Sequence, residues 1–422
     1  MRLSDTLTRG PAELPEPPGP VRMYFCGPTV YARAHIGNAR PFVFGMWLRN
    51  WLRNRGYDAT LVHNITDVDD KIIAAPGPSA EVAARAAQWY IEDVGDLGLG
   101  MPDGLPRATE TIPSIVEFIE ALVERGFAYA VQGDVYFRVS RDPSYGRLSG
   151  QRPDQVEEQE PNPYKEDPRD FALWKATKEG EDTSWASPWG RGRPGWHIEC
   201  SAMAEKYLGP VFEIHGGGLD LVFPHHENEI AQSRGAGREF ARLWMHNGML
   251  EFTGEKMSKS LGNDTSLRNV LDTWGRETVL LFFLRGHWRK PIDFSDEALA
   301  SAAARAEGFR DVFRSPSQPA PDGAWERFAA ALDDDFNTPE ALAVMHEWRD
   351  HELLRRALEV FGLESLAELP EAPPEVVELA RERAQARADR RFDDADELRK
   401  GIEAAGWIVR DSGAEFQLVP RS

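Results

Sequence analysis

A short apolar run, Val21 to Phe25, ends at Cys26-Gly27-Pro28 and leads through His35-Ile36-Gly37-Asn38-Ala39-Arg40 into an apolar-periodic stretch from Phe42 to Leu52. A second β-rich run, Thr60 to Ile65, follows Gly56. Strand, glycine-bearing turn, helix and strand form a βαβ unit. That unit predicts an α/β fold built on a doubly wound parallel sheet, whose ligands sit at the carboxyl ends of the strands. Asn64-Ile65-Thr66-Asp67 lies at such an end. The turn before the helix is also the layout in which backbone N–H groups and a helix dipole cradle phosphate.

A second stretch concentrates metal-binding side chains. Cys200 follows Gly195-Trp196-His197-Ile198-Glu199, and a glycine-rich turn, His215-Gly216-Gly217-Gly218, precedes Pro224-His225-His226-Glu227-Asn228-Glu229. Proline suits the first position of a helix, so the pattern predicts a helix opening at Pro224. On it His225 and Glu229 stand at i, i+4 and reach out from one face. The chain holds two cysteines, Cys26 and Cys200. Together with His225 and Glu229 they make a tetrahedral S, S, N, O zinc site. The alternative is a pair of buried apolar cysteines and a capping histidine.

Composition bounds the setting. A length of 422 residues suggests two to four domains, and two cysteines in such a chain argue against a disulfide framework. Met1 to Glu16 lacks the apolar core of a signal peptide, and the run Val279 to Leu284 is too short to span a bilayer. The expectation is a cytoplasmic protein with no membrane partner. A net charge of −20 speaks against non-specific nucleic-acid binding but leaves room for a local basic patch.

Glu255-Lys256-Met257-Ser258-Lys259-Ser260-Leu261-Gly262-Asn263 places two lysines and two serines on a glycine-flanked loop. Such a loop can close over a triphosphate and hold its departing pyrophosphate. Taken with His35-Ile36-Gly37-Asn38, it resembles the signature pair of the class I aminoacyl-tRNA synthetases. Cys26-Gly27-Pro28-Thr29-Val30-Tyr31, Gly195-Trp196-His197-Ile198-Glu199-Cys200 and Phe223-Pro224-His225-His226-Glu227-Asn228-Glu229 resemble the cysteinyl branch of that family.

The resemblance runs from about Val21 to the C-terminus and implies a Rossmann-type catalytic domain with ATP, L-cysteine and tRNA(Cys) as partners. It implies one bound zinc, magnesium accompanying ATP, and a monomer. Residues 1–111 and 195–248 would form the two halves of the catalytic domain, the second with the zinc site, around a connective insertion at 112–194. Residues 249–294 would hold the lysine loop and stem-contact region, 295–368 a helical bundle, and 369–422 a linker with the anticodon-binding region. His35, Asn38, Lys256 and Lys259 are the implied catalytic residues, contacting the ATP phosphates. Gly217 and Asp220 would flank the adenosine, and Gly27, Thr66 and Trp196 would line the cysteine pocket. Arg381, Arg383, Arg387, Arg390 and Arg391 put positive charge on one C-terminal helix, for the anticodon or for a salt-bridged solvated face.

Zinc answers a selectivity problem. Pocket shape separates near-isosteres by only roughly 100-fold, and cysteine differs from serine by one atom. A soft thiolate ligand prefers the metal where a hydroxyl does not, so the substrate's own sulfur is expected as a further ligand. No editing domain would then be needed. Asn38 stands where the resembled family has a second histidine, and the segments His346 to Phe361 and Ala74 to Ser79 look short. Two alternatives stand beside this reading: a cysteine ligase of mycothiol biosynthesis acting on an amino sugar, and a non-catalytic tRNA-binding paralogue.

Overall fold

A computed structural model of the protein describes residues 1–151, 161–252, 265–368, 371–412 and 415–420. The chain divides into two units, Met1–Leu366 and Ala367–Ser422. The larger opens with a hairpin of β1 (Arg2–Asp5) and β2 (Gly10–Glu13). The βαβ unit follows as β3 (Pro20–Phe25), α1 (Ile36–Asn54) and β4 (Asp58–His63). The helix starts six residues before the apolar periodicity does, because His35 and Asn38 cap it. Gly37 N–H donates to His35 Nδ1 at 3.0 Å, and His35 N–H donates to Asn38 Oδ1 at 3.1 Å.

After the short α2 (Asp70–Ile73) and α3 (Ser79–Gly95), helix α4 (Ile112–Glu124) enters the predicted insertion. There β5 (Ala128–Val131), β6 (Asp134–Phe137), β7 (Phe171–Ala176), β8 (Trp185–Ser187) and β9 (Gly190–Pro194) form an antiparallel sheet in the order β5-β6-β7-β9-β8. Ile115, Phe118, Ile119 and Leu122 of α4 pack on Val135, Phe137, Leu173 and Trp174. The chain returns through α5 (Trp196–Leu208), β10 (Phe212–Gly218), α6 (Glu227–Gly235) and β11 (Ala241–Asn247). The parallel sheet has the order β11-β10-β3-β4, so the two sequence halves meet where β3 pairs with β10. Val21, Met23, Tyr24 and Phe25 are all buried, as expected of a strand covered on both faces.

Beyond the sheet, β12 (Leu250–Glu251) pairs with β13 (Ile292–Asp293) around α7 (Leu267–Trp274) and α8 (Arg276–Leu284). Helices α9 (Asp296–Arg314), α10 (Ala324–Asp333), α11 (Thr338–His346) and α12 (His351–Val360) complete the unit. Asn337 caps α11 by accepting from Glu340 N–H at 3.3 Å, which the Asn-Thr-Pro-Glu pattern anticipates. No described helix is long and apolar enough to cross a membrane.

The smaller unit pairs α13 (Pro374–Ala388) and α14 (Phe392–Ala404) with a hairpin of β14 (Trp407–Ser412) and β15 (Glu415–Pro420). Its core holds Val376, Ala380, Ile402, Trp407 and Val409. Arg383 is buried and donates to Asp411 at 2.8 and 3.1 Å, and Arg387 pairs with the same carboxylate. Those bonds hold Asp411 down at about 2. Arg381 pairs with Glu378 and Arg391 with Asp394. The arginines expected to present charge to a nucleic acid are therefore partly spent inside the unit, and Arg383 wholly so.

Arg40, buried on α1, joins the first half of the sheet to the region after β11. Its guanidinium donates to the carbonyls of Gly248, Met249, His287 and Lys290. Burial lowers its pKa to about 10, which leaves it charged at neutral pH. Arg40→Met should strip several buried carbonyls of their donor and cost about 3–5 kcal/mol. Arg40→Lys should recover only part of that, because one ammonium cannot span the fork. Urea unfolding of the two variants checks both expectations.

Candidate metal centre and nucleotide cleft

Each ligand candidate is placed by a different element. Cys26 follows β3, Cys200 rides on α5, and Glu229 lies in the first turn of α6. The expected helix start at Pro224 is corrected: Val222–His226 forms a wider π-type turn with Phe223 extended, and α6 begins at Glu227. The i, i+4 relation survives across that junction, with His225 Nε2 at 3.2 Å from Glu229 Oε1. The donor atoms of Cys26, Cys200, His225 and Glu229 all lie within 4.8 Å of one another, and all four residues are buried.

A second layer of side chains fixes this group. His215 Nε2 lies 2.9 Å from Glu229 Oε2, and His197 Nδ1 lies 3.0 Å from His225 Nδ1. On the other side, His226 Nε2 approaches Cys26 Sγ at 3.3 Å. His226 Nδ1 meets His246 Nε2 at 2.7 Å, and His246 Nδ1 meets Thr6 Oγ1 at 2.8 Å. If the Thr6 hydroxyl donates, every ring in that row is set to pass an N–H forward, ending on the thiol. Sequence reading missed His215, His226, His246, His197 and Thr6. The adjacent His225-His226 pair was the available signal for one of them; nothing local announces Thr6 or His246.

The chemistry of this group suits a soft cation. Burial holds His225 and His226 well below the ordinary imidazole range, in the neutral form that ligates metals. It also pushes the Cys26 thiol far up, with Cys200 and Glu229 adding to the effect. Glu229 is raised by burial as well. Two thiols and a carboxylate without a lysine or arginine among them are stable as anions only around a cation. Cys26 and Glu229 also group with His215 and His226 within 4.8 Å. The set with both cysteines fits zinc better, because thiolates are its preferred partners.

Beside this centre opens a cavity of about 440 Å³. It runs from Cys26, Gly27 and Trp196 past His35, Gly37 and Asn38 at the start of α1 to Gly218, Asp220 and Asn247–Leu250. Trp196 lies over His225 with ring centroids 4.3 Å apart. Thr66 is buried behind the Cys26–Val30 loop, with Asn64 Nδ2 donating to its hydroxyl at 3.2 Å and the Cys200 thiol 3.7 Å from Asn64 Oδ1. Gly27 stands on the cavity wall, and a Cβ there would meet the Asn64 carbonyl oxygen at 1.7 Å. Its glycine is demanded by the neighbouring strand end. Gly217 faces His226 rather than the cavity, and Gly218 takes its place on the wall. Lys256 and Lys259 lie outside the described residues.

Residues 14–304 match the family model described as tRNA synthetases class I (C) catalytic domain. Residues 327–359 match a DALR domain and 369–417 a cysteinyl-tRNA ligase anticodon binding domain. The cysteine–tRNA ligase of Brevibacillus brevis is 44% identical, covering 98% of each chain. That of Methylobacillus flagellatus is also 44% identical over 98% of each. The chain belongs to the cysteine–tRNA ligase family.

Among solved structures, methionyl-tRNA synthetase of Mycobacterium tuberculosis in complex with methionyl-adenylate superposes with a TM-score of 0.59. It is 15% identical, covering 82% of this chain and 88% of that one, and shows a shared fold. The family membership makes the protein a class I synthetase and a ligase, with the α/β fold that the opening βαβ unit predicts. The histidine row gives a direct test of how the centre is held. His226→Ala should weaken zinc retention roughly 10–100-fold, as loss of partners behind metal ligands does elsewhere. Competition with a chromogenic chelator reads this without any activity assay, and Thr6→Val should show a smaller loss in the same direction.

Proposed function

We propose that the protein activates L-cysteine with ATP and transfers the cysteinyl group to the 3′ end of tRNA(Cys). One observation carries this reading: two thiols, a histidine and a glutamate converge at one end of a cavity whose middle is a capped helix N-terminus. Cys26, Cys200, His225 and Glu229 would hold zinc. Bound there, zinc supplies a soft acceptor that favours a substrate thiol over a hydroxyl. Trp196 closes the cysteine end, and the start of α1 turns the positive end of its dipole toward the phosphates.

In the first step the cysteine carboxylate attacks the α-phosphate of ATP, which arrives with magnesium, and pyrophosphate leaves. The chain contributes no nucleophile; it orients the two substrates and stabilises charge. His35 and Asn38 serve the phosphates, and by family resemblance so do Lys256 and Lys259. Asn38 keeps its Oδ1 on His35 N–H, so its amide nitrogen is the group left to donate. Asp220 lines the far part of the cavity and would accept from ribose hydroxyls. In the second step a hydroxyl of the terminal tRNA ribose attacks the adenylate carbonyl. The match of 369–417 to an anticodon-binding domain favours tRNA over an amino sugar as the acceptor.

Cysteine-dependent ATP–pyrophosphate exchange, followed by charging of tRNA and of an amino-sugar acceptor, tests the whole reading. Exchange with cysteine should exceed that with serine by far more than the roughly 100-fold that shape alone provides. Cys200→Ser should abolish it. Charging of the amino sugar alone would make the protein the other ligase, and absence of exchange in zinc-loaded protein would remove the enzymatic reading. Asn38 makes a finer prediction. Asn38→Ala should lower kcat roughly 10–100-fold with zinc content unchanged. Asn38→Asp, which keeps the cap but repels phosphate, should be worse than alanine.

A further inference from the structure

We infer that Asn247 reads the base of the nucleotide, an assignment that rests on the proposed use of ATP in this cavity. Asn247 ends β11 and pairs with Gly218 at the end of β10. It is 1% exposed and lines the cavity, yet neither its Oδ1 nor its Nδ2 has a hydrogen-bond partner. A buried amide with both ends unsatisfied costs a few kcal/mol of lost hydration unless something completes it.

The backbone around Asn247 is held on both sides. Gly248 N–H donates to the Trp288 carbonyl at 2.8 Å, and the Gly248 carbonyl accepts from Arg40. Strand alternation then decides which way the side chain goes. His246 faces the metal centre through His226, so Asn247 faces the opposite side of the sheet, toward α1. That is the nucleotide side. With the sulfur end of the cavity at Cys26 and the phosphates at the start of α1, the nucleoside is left with the part walled by Gly218, Asp220 and Asn247–Leu250.

An amide presents one acceptor and one donor side by side. Adenine offers the complement at its 6-amino group and the adjacent ring nitrogen N7, whereas guanine offers two acceptors there. Oδ1 accepts from the amino group and Nδ2 donates to N7. Asn247 is thus a specificity residue for ATP over GTP, separate from the phosphate and thiol contacts.

The test compares ATP with purine riboside triphosphate, which lacks the amino group, and with 7-deaza-ATP, which lacks N7. Direct binding to the zinc-loaded protein by calorimetry is read alongside KM and kcat in cysteine-dependent exchange. The wild-type protein should bind each analogue about 10-fold more weakly than ATP, the usual loss when one buried polar partner is removed. Asn247→Ala removes both contacts and should raise the KM for ATP by about 10- to 100-fold with kcat little changed, and should bind ATP and both analogues nearly alike. Equal binding of ATP and the analogues by the wild-type protein overturns the assignment, whatever the variant does. Undiminished discrimination by Asn247→Ala overturns it too. Loss of exchange with cysteine in the wild-type protein, while ATP discrimination persists in calorimetry, would fall on the proposed activity and leave the base contact standing.

Discussion

The molecule depends on the parallel pairing of β3 with β10. Met23, Tyr24 and Phe25 stand beside Ile214, His215 and Gly216, and Cys26 N–H continues the ladder to the Gly216 carbonyl at 3.0 Å. Nearly two hundred residues separate these strands in the chain, including the whole antiparallel insertion sheet. A parallel pair tolerates such a crossover because its strands cannot be joined by a tight turn in any case. This pairing sets the first cysteine beside the histidine-rich second half and sets the start of α1 beside the end of β10.

The two-residue period of the strands then sorts the chemistry onto the two faces of one sheet. Cys26, His215 and His246 look toward α5, the turn before α6 and α6 itself, which carry Cys200, His225 and Glu229. Phe25 and Gly216 look the other way, toward α1; Gly45 of that helix would carry a Cβ 3.3 Å from the Phe25 ring. Metal ligands and nucleotide-facing groups therefore come from consecutive residues of the same strands. A slip of one residue in any of these ladders would exchange the two sets.

Electrostatics divides along the same line. On the metal side neutral imidazoles surround two thiols and a carboxylate with no arginine or lysine among them, an arrangement that leaves room for the charge of a cation. On the other side one buried guanidinium, Arg40, stays charged by occupying the carbonyls of four residues. It fixes the chain leaving β11 against the helix whose N-terminus faces the cavity. The smaller unit shows a third solution, in which Arg383 and Arg387 share Asp411 near the surface. Those bonds contribute stability above the ordinary aspartate range that fades as pH falls toward about 2.

Much of this was legible in the sequence. Apolar runs and glycine turns have fixed periods and local causes, so β3, α1 and β4 could be read from one short segment. Cys26, Cys200, His225 and Glu229 stood out because few residue types bind soft metals and this chain has only two cysteines. The start of α6 was misread by three residues, because proline's preference for a first helical turn says nothing about the wider turn that precedes it. Gly217 was assigned to a cavity wall it does not line, since the face a residue presents depends on register with a neighbouring strand. Thr6, His246 and His226 form their row, and His215 meets Glu229, only after the hairpin, β10, the turn before α6, α6 and β11 have packed together. The sequence by itself determined which elements form and which side chains can do the chemistry, because those follow from local sterics and atom types. Only the tertiary structure decided which of them share a face and a partner, because that rests on long-range strand pairing between segments with no local signal of each other.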